Sequence, residues 1–201
     1  MQRALVVIDV QNIYGEGSPL EIVHPPFAGS LRRVLGAVRT AGRARIPVVL
    51  VQHEAPVGAP DDGLWDLRPE VARLGHDHLV LKSLPSAFAG TDLHPWLQEH
   101  GVDTLTLVGY MTQNCVDSTA REASHRGYAV EVLLDATGTL PLSNAAGHVD
   151  ARTLHETTLT VLHSRFAAVA DSDAWESAVQ RGVRLPAGDI MASARREGER
   201  V

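Results

Sequence analysis

The chain of 201 residues carries 44% hydrophobic residues, a formal net charge of −6 and one cysteine. That length and composition fit one soluble globular domain, and an acidic balance with no dense Lys/Arg run argues against a nucleic-acid-binding surface. A lone cysteine rules out an internal disulfide, and no apolar stretch reaches the length of a secretion signal or membrane span, so a cytoplasmic protein is expected.

Ala4 to Ile8 is a continuous, β-branched-rich run of the kind found in strands covered on both faces, and it stops at Asp9. A Gly/Pro-rich loop from Gly15 to Pro26 follows. Leu31, Val34, Leu35 and Val38 then recur at helical spacing up to Ala41-Gly42. Pro47 to Val51 predicts a second buried strand. Gln52 to Gly75 reads as a long connection that could cover a ligand or be a plain surface excursion. His78 to Leu81 predicts a third strand ending at Lys82, and Thr91 or Asp92 could cap a helix running to Glu99. Leu105 to Val108 is a fourth strand, with a helix from about Gln113 to His125 closed by Gly127. Tyr128 to Leu134 is a fifth strand ending at Asp135. A long helix is expected from about Asn144 to Leu162, a last strand over Phe166 to Val169, and a final helix over Asp173 to Gln180. Residues 1–181 form the expected domain, and 182–201 read as a polar tail or an oligomer arm.

Alternating strands and helices imply right-handed βαβ units. The fold class is therefore α/β, a three-layer α/β/α domain on a mainly parallel six-stranded sheet. In such a sheet, ligands bind at the carboxyl ends of the strands. Asp9, Lys82 and Cys115 all fall at or just beyond such ends. Singly, each has an ordinary explanation: an aspartate satisfying loop amides, a solvated lysine, a cysteine acting as a small hydrophobe. Together they supply an acid/base, a cation and a thiol at one edge. A helix start would lower the thiol pKa and favour the thiolate. Gly109 allows a tight turn, and backbone N–H groups near Cys115 could receive a developing oxyanion.

The ordered pieces Asp9-Val10-Gln11-Asn12, Lys82-Ser83-Leu84-Pro85-Ser86-Ala87-Phe88, Gly109-Tyr110-Met111-Thr112-Gln113-Asn114-Cys115-Val116, Ser118-Thr119-Ala120-Arg121, Gly127-Tyr128 and Asp135-Ala136 resemble the isochorismatase-like cysteine hydrolases. The resemblance implies a Rossmann-like α/β/α domain with an Asp-Lys-Cys triad at Asp9, Lys82 and Cys115. It implies a non-proline cis peptide at Tyr110-Met111, with the N–H groups of Met111 and Cys115 as an oxyanion hole. It also implies assembly as a homodimer or homotetramer. The nicotinamidase branch carries an Asp-x-His metal motif after the second strand. Here that stretch is Gln52-His53-Glu54, so His53, Glu54, His76 and His78 are read as surface groups and no metal or cofactor is expected.

The resemblance thus points to hydrolysis of a small amide, carbamoyl or ureido compound through a thioester, with water as co-substrate. Gln11, Tyr14, Trp65, Phe88, Tyr110 and Thr112 are candidate substrate contacts, each equally suited to packing or loop anchoring. Arg121 stands four residues beyond Asp117, the spacing of a helical ion pair. Two other readings remain: isochorismate-type vinyl-ether hydrolysis, which needs basic residues such as Arg68 and Arg121 in the pocket, and a non-catalytic binder or redox sensor.

Overall fold

In the computed structural model, residues 1–194 are described. The chain runs β1 (Arg3–Ile8), α1 (Phe27–Ala44), β2 (Val48–His53), α2 (Pro69–Ala72), β3 (His78–Lys82), α3 (Leu93–Glu99), β4 (Thr104–Tyr110), α4 (Asp117–His125), β5 (Ala129–Gly138), β6 (Leu142–Asn144), β7 (Gly147–Val149), α5 (Ala151–Arg165), β8 (Ala168–Ala170), α6 (Ser172–Arg181) and α7 (Ile190–Ser193). Six strands form one all-parallel sheet in the order β3-β2-β1-β4-β5-β8. The first three strands build outward from β1 on one side, and the chain then crosses to build β4, β5 and β8 on the other. The reversal between β1 and β4 opens a crevice at the carboxyl ends of these two strands.

Alternation along the strands sends side chains to two separate cores. Leu5, Val7, Leu50 and Val108 pack against Leu31, Val34 and Val38 of α1 and Trp175 of α6. Val6, Ile8, Val49, Val51, Val80, Leu105 and Leu107 face Leu93 and Leu97 of α3, Ala120 of α4, and Leu159 and Leu162 of α5. Burial on both faces explains why the inner strands β1 and β2 read as unbroken apolar runs rather than alternating ones. Among the described residues, no helix is long and apolar enough to cross a membrane.

Three expectations need correction. The helix expected from Asn144 instead starts at Ala151, and Leu142–Val149 is a two-stranded hairpin. Asn144 Oδ1 accepts from the Ala146 N–H at 2.8 Å to shape the turn, and Asp150 caps α5 by accepting from the Thr153 N–H at 3.0 Å. Strand β5 continues past Asp135 to Gly138. The stretch expected as a polar tail begins by packing on the body. Leu185 is buried, and its N–H donates to Glu131 Oε1 at 2.9 Å; residues 195–201 lie outside the described residues.

Glu131 anchors this packing. Its carboxylate meets Arg3 at 2.7 Å, with the two side chains only 3% and 2% exposed. It also accepts from Thr106 Oγ1 at 2.8 Å and Trp175 Nε1 at 3.2 Å. Burial would raise its pKa, but the Arg3 hydrogen bonds, the Leu185 N–H and the Thr106 hydroxyl outweigh it and hold the carboxyl below the usual glutamate range. A depressed carboxyl contributes stability above its unfolded value, near 4.5, and loses that contribution as the pH falls through its folded value. Glu131→Gln leaves the Arg3 cation buried without a counter-charge and is expected to cost about 3–5 kcal/mol at neutral pH. Urea unfolding checks this, and a loss below about 1 kcal/mol would mean the pair is dispensable.

Candidate active site

The sheet brings Asp9, Lys82 and Cys115 to one point. Asp9 directly follows β1, and its N–H donates to the Val51 carbonyl at 2.9 Å, so the ladder with β2 holds it in place. Its backbone is left-handed, with φ at 50°, which aspartate tolerates better than most residues. Lys82 closes β3. Cys115 follows β4, inside a single π-helical turn over Thr112–Val116 that precedes α4. The Tyr110–Met111 peptide bond before that turn is cis. Gly109 has φ at +107°, and a Cβ there would run into the Ile8 carbonyl. Only glycine therefore lets β4 lie this close to the end of β1.

The Lys82 ammonium lies 2.7 Å from Asp9 Oδ2, with both side chains fully buried, and 3.4 Å from Cys115 Sγ. Neither Asp9 oxygen has a well-directed hydrogen bond among the described residues, so the carboxylate keeps lone pairs available. Burial raises the Asp9 pKa above its ordinary 3.8 against the pull of the Lys82 charge. Burial also pushes the Cys115 thiol up to about 12, with Asp9 adding to the rise and Lys82 opposing it. The expectation of a lowered thiol pKa is thus corrected. Cys115 is only 3% exposed and faces a carboxylate, and both factors outweigh a nearby cation and helix start. The resting form is a neutral thiol beside a base.

A fourth group joins these three. His53 ends β2, paired in register with Lys82, and its Nδ1 is 2.9 Å from Lys82 Nζ. It is half-buried rather than a surface histidine, which corrects the expectation for this residue. Sequence reasoning missed it because the apolar run of β2 stops at Val51. The strand-end rule that found Asp9 and Lys82, extended by two residues, would have found it.

Asp9, His53 and Cys115 each offer a ligand atom within 4.8 Å of the others. The Lys82 ammonium contacts all three, so a fixed cation already occupies the position a divalent ion would need. The residues do not fit a metal while Lys82 is charged.

The six candidate contacts separate. Tyr14 is buried with its ring 5.8 Å from that of Tyr110, and burial is the main cause of the rise in its hydroxyl pKa. Trp65 is half-buried with its ring 6.0 Å from that of His53. Gln11 spends its amide on backbone: it donates to the His53 and Trp65 carbonyls and accepts from the His53 N–H at 3.0 Å. Tyr110 is wholly buried, with its hydroxyl 2.8 Å from Ser30 Oγ. Thr112 Oγ1 is 2.9 Å from His155 Nδ1. Phe88 stacks on Tyr128 with the Arg126 guanidinium 5.2 Å above its ring. For Gln11, Tyr110, Thr112 and Phe88 these contacts are anchoring and packing. Arg121 makes the ion pair its spacing suggests, at 2.8 Å from Asp117.

Residues 3–174 match the isochorismatase domain. A crystal structure from Burkholderia xenovorans LB400, provisionally named an isochorismatase, superposes with a TM-score of 0.92 at 49% identity, covering 95% of this chain and 93% of that one. The uncharacterized isochorismatase family protein YddQ of Bacillus subtilis is 31% identical over 87% of this chain and 99% of its own length. The ureidoacrylate amidohydrolase RutB of Methylobacterium radiotolerans is 30% identical over 94% of this chain and 83% of its own. With the domain match spanning most of the sequence and such relatives matched along nearly all of it, this chain belongs to the isochorismatase family of hydrolases.

Proposed function

We propose that this hydrolase cleaves the C–N bond of a small amide, carbamoyl or ureido compound through a thioester on Cys115. The observation that carries the reading is the buried Lys82 ammonium, 2.7 Å from Asp9 and 3.4 Å from Cys115 Sγ. Asp9 accepts the thiol proton, and the Lys82 charge stabilises the thiolate as it forms. The sulfur attacks the substrate carbonyl, whose oxygen takes up negative charge and is received by the N–H groups of Met111 and Cys115. Asp9 returns the proton to the departing nitrogen and the C–N bond breaks. Water, deprotonated by Asp9, then attacks the thioester, releasing the acid and restoring the thiol. RutB, whose name gives a ureidoacrylate as substrate, supports the ureido and amide class. A homodimer or homotetramer in the cytoplasm belongs to the same proposal.

Two features weigh against the rival readings. Arg68 pairs with Glu70 at 3.0 Å and lies over the Phe27 ring, while Arg121 pairs with Asp117 and lies over Phe166, so both candidate cations for a vinyl-ether diacid are engaged elsewhere. A redox sensor needs an accessible, low-pKa thiol, whereas Cys115 is buried with its thiol pKa raised.

Against a panel of small amides and ureas, Cys115→Ala is expected to lower ammonia release by about 10⁴-fold or more. Wild-type rates in that variant would exclude the covalent route. In the pH profile of kcat/KM, the acid limb reports Asp9 losing its capacity as a base. Because burial raises its pKa, the midpoint is expected above the ordinary aspartate value of 3.8, with activity falling as the pH drops through it. A profile flat down to pH values below that figure would remove Asp9 from the base role.

A further inference from the structure

At the carboxyl edge the strands β3, β2, β1 and β4 lie side by side. Three of them lead to Lys82, Asp9 and Cys115. The fourth, β2, ends in His53, which the mechanism above leaves unused. The Lys82 ammonium has three N–H bonds: it hydrogen-bonds His53 Nδ1 at 2.9 Å and Cys115 Sγ at 3.4 Å, and it makes an ion pair with Asp9 Oδ2 at 2.7 Å. An ammonium has no lone pair, so His53 Nδ1 must accept, and the proton of the neutral ring then sits on Nε2. An imidazolium could not fill this position.

The backbone of His53 is itself gripped. The Gln11 side chain accepts from its N–H at 3.0 Å and donates to its carbonyl at 2.9 Å, as an adjacent strand would. Gln11 is fully buried, and its remaining N–H goes to the Trp65 carbonyl. Both N–H bonds and the carbonyl oxygen of a buried amide thus fix where His53 and the neighbouring loop sit.

We infer that His53 is a positioning residue of this site: by accepting one N–H of Lys82 it fixes the rotation of the ammonium and keeps a second N–H on Cys115 Sγ, with Asp9 held in ion-pair contact. The catalytic consequence rests on the hydrolase reading above, while the effect on the thiol does not. Without this acceptor, one donor of a buried ammonium would lack a partner and the group would turn to find another. Burial and the Lys82 charge lower the His53 pKa, with Asp9 and Glu54 pulling the other way, so the accepting form holds at neutral pH. The Trp65 ring, 6.0 Å away, adds no charge.

Two measurements test this, neither using a substrate. In ¹⁵N-histidine NMR of the wild type, His53 is expected as the neutral Nε2–H tautomer at neutral pH. Its titration midpoint should lie below the ordinary value of about 6.5 and move up in Lys82→Met. For alkylation of Cys115 by iodoacetamide, His53→Leu is expected to slow the reaction about tenfold, whereas His53→Asn, with an amide oxygen near the position of Nδ1, should recover all but about threefold. An Nδ1–H tautomer, a midpoint unmoved by Lys82→Met, or equal alkylation of the Leu and Asn variants would overturn the inference. A substrate panel without turnover would count against amide hydrolysis and leave this result standing.

Discussion

A positive charge buried among four strand ends is the constraint on which this structure depends. Removing an ammonium from water costs several kcal/mol unless its donors are matched. Lys82 is matched by a carboxylate, an imidazole and a thiol, and each acceptor comes from a different strand or the turn after it. Such a cluster forms only if the strands finish level. The parallel registers see to this: His53 pairs with Lys82, Ile8 with Val51, and Ile8 with Gly109. The hydrophobic pattern that fixes those registers therefore also fixes the polar cluster, because a slip of one residue would turn Lys82 out to solvent and Leu81 in.

The same burial decides the state of the thiol. In water a cation beside a cysteine would favour the thiolate. Here the desolvation of Cys115 and the Asp9 charge outweigh Lys82, and the sulfur keeps its proton. The same desolvation raises the Asp9 carboxyl, so burial disfavours the charged form of both partners. The ammonium then acts as the group that favours whichever neighbour carries the negative charge.

Much of this was legible in the chain. Apolar runs marked the sheet strands, unbroken in β1 and β2 and interrupted by Thr106 in β4 and Glu131 in β5, and Asp9 and Lys82 stood out because a charged residue ended their runs. His53 was hidden because two residues, Gln52 and His53 itself, extend β2 past its apolar core, and nothing in composition shows that a half-buried strand end still faces the site. The β6–β7 hairpin was lost because its turn chemistry, Asn144 with Gly147, lies in a polar stretch without strand alternation, while Asp150 is an equally good signal for the true helix start. The direction of the Cys115 shift was not readable at all, since desolvation belongs to the packed state and leaves no mark in residue spacing.

The connection between β2 and β3 is held unevenly along its length. Its far half is stitched to the segment following Asp9: the N–H groups of Asn12 and Ile13 donate to Asp66 and Leu64 at 2.9 and 2.7 Å, and the Arg68 N–H donates to Val10 at 2.8 Å. Asn12 Nδ2 adds a bond to the Gly63 carbonyl at 2.8 Å. Residues Glu54 to Val57, by contrast, are exposed. The half that carries Trp65 is thus tied to the residues that follow Asp9, whereas the side chains of the outer half face solvent. Trp65 therefore keeps a fixed place 6.0 Å from the His53 ring, above a Lys82 cluster that the strand registers hold.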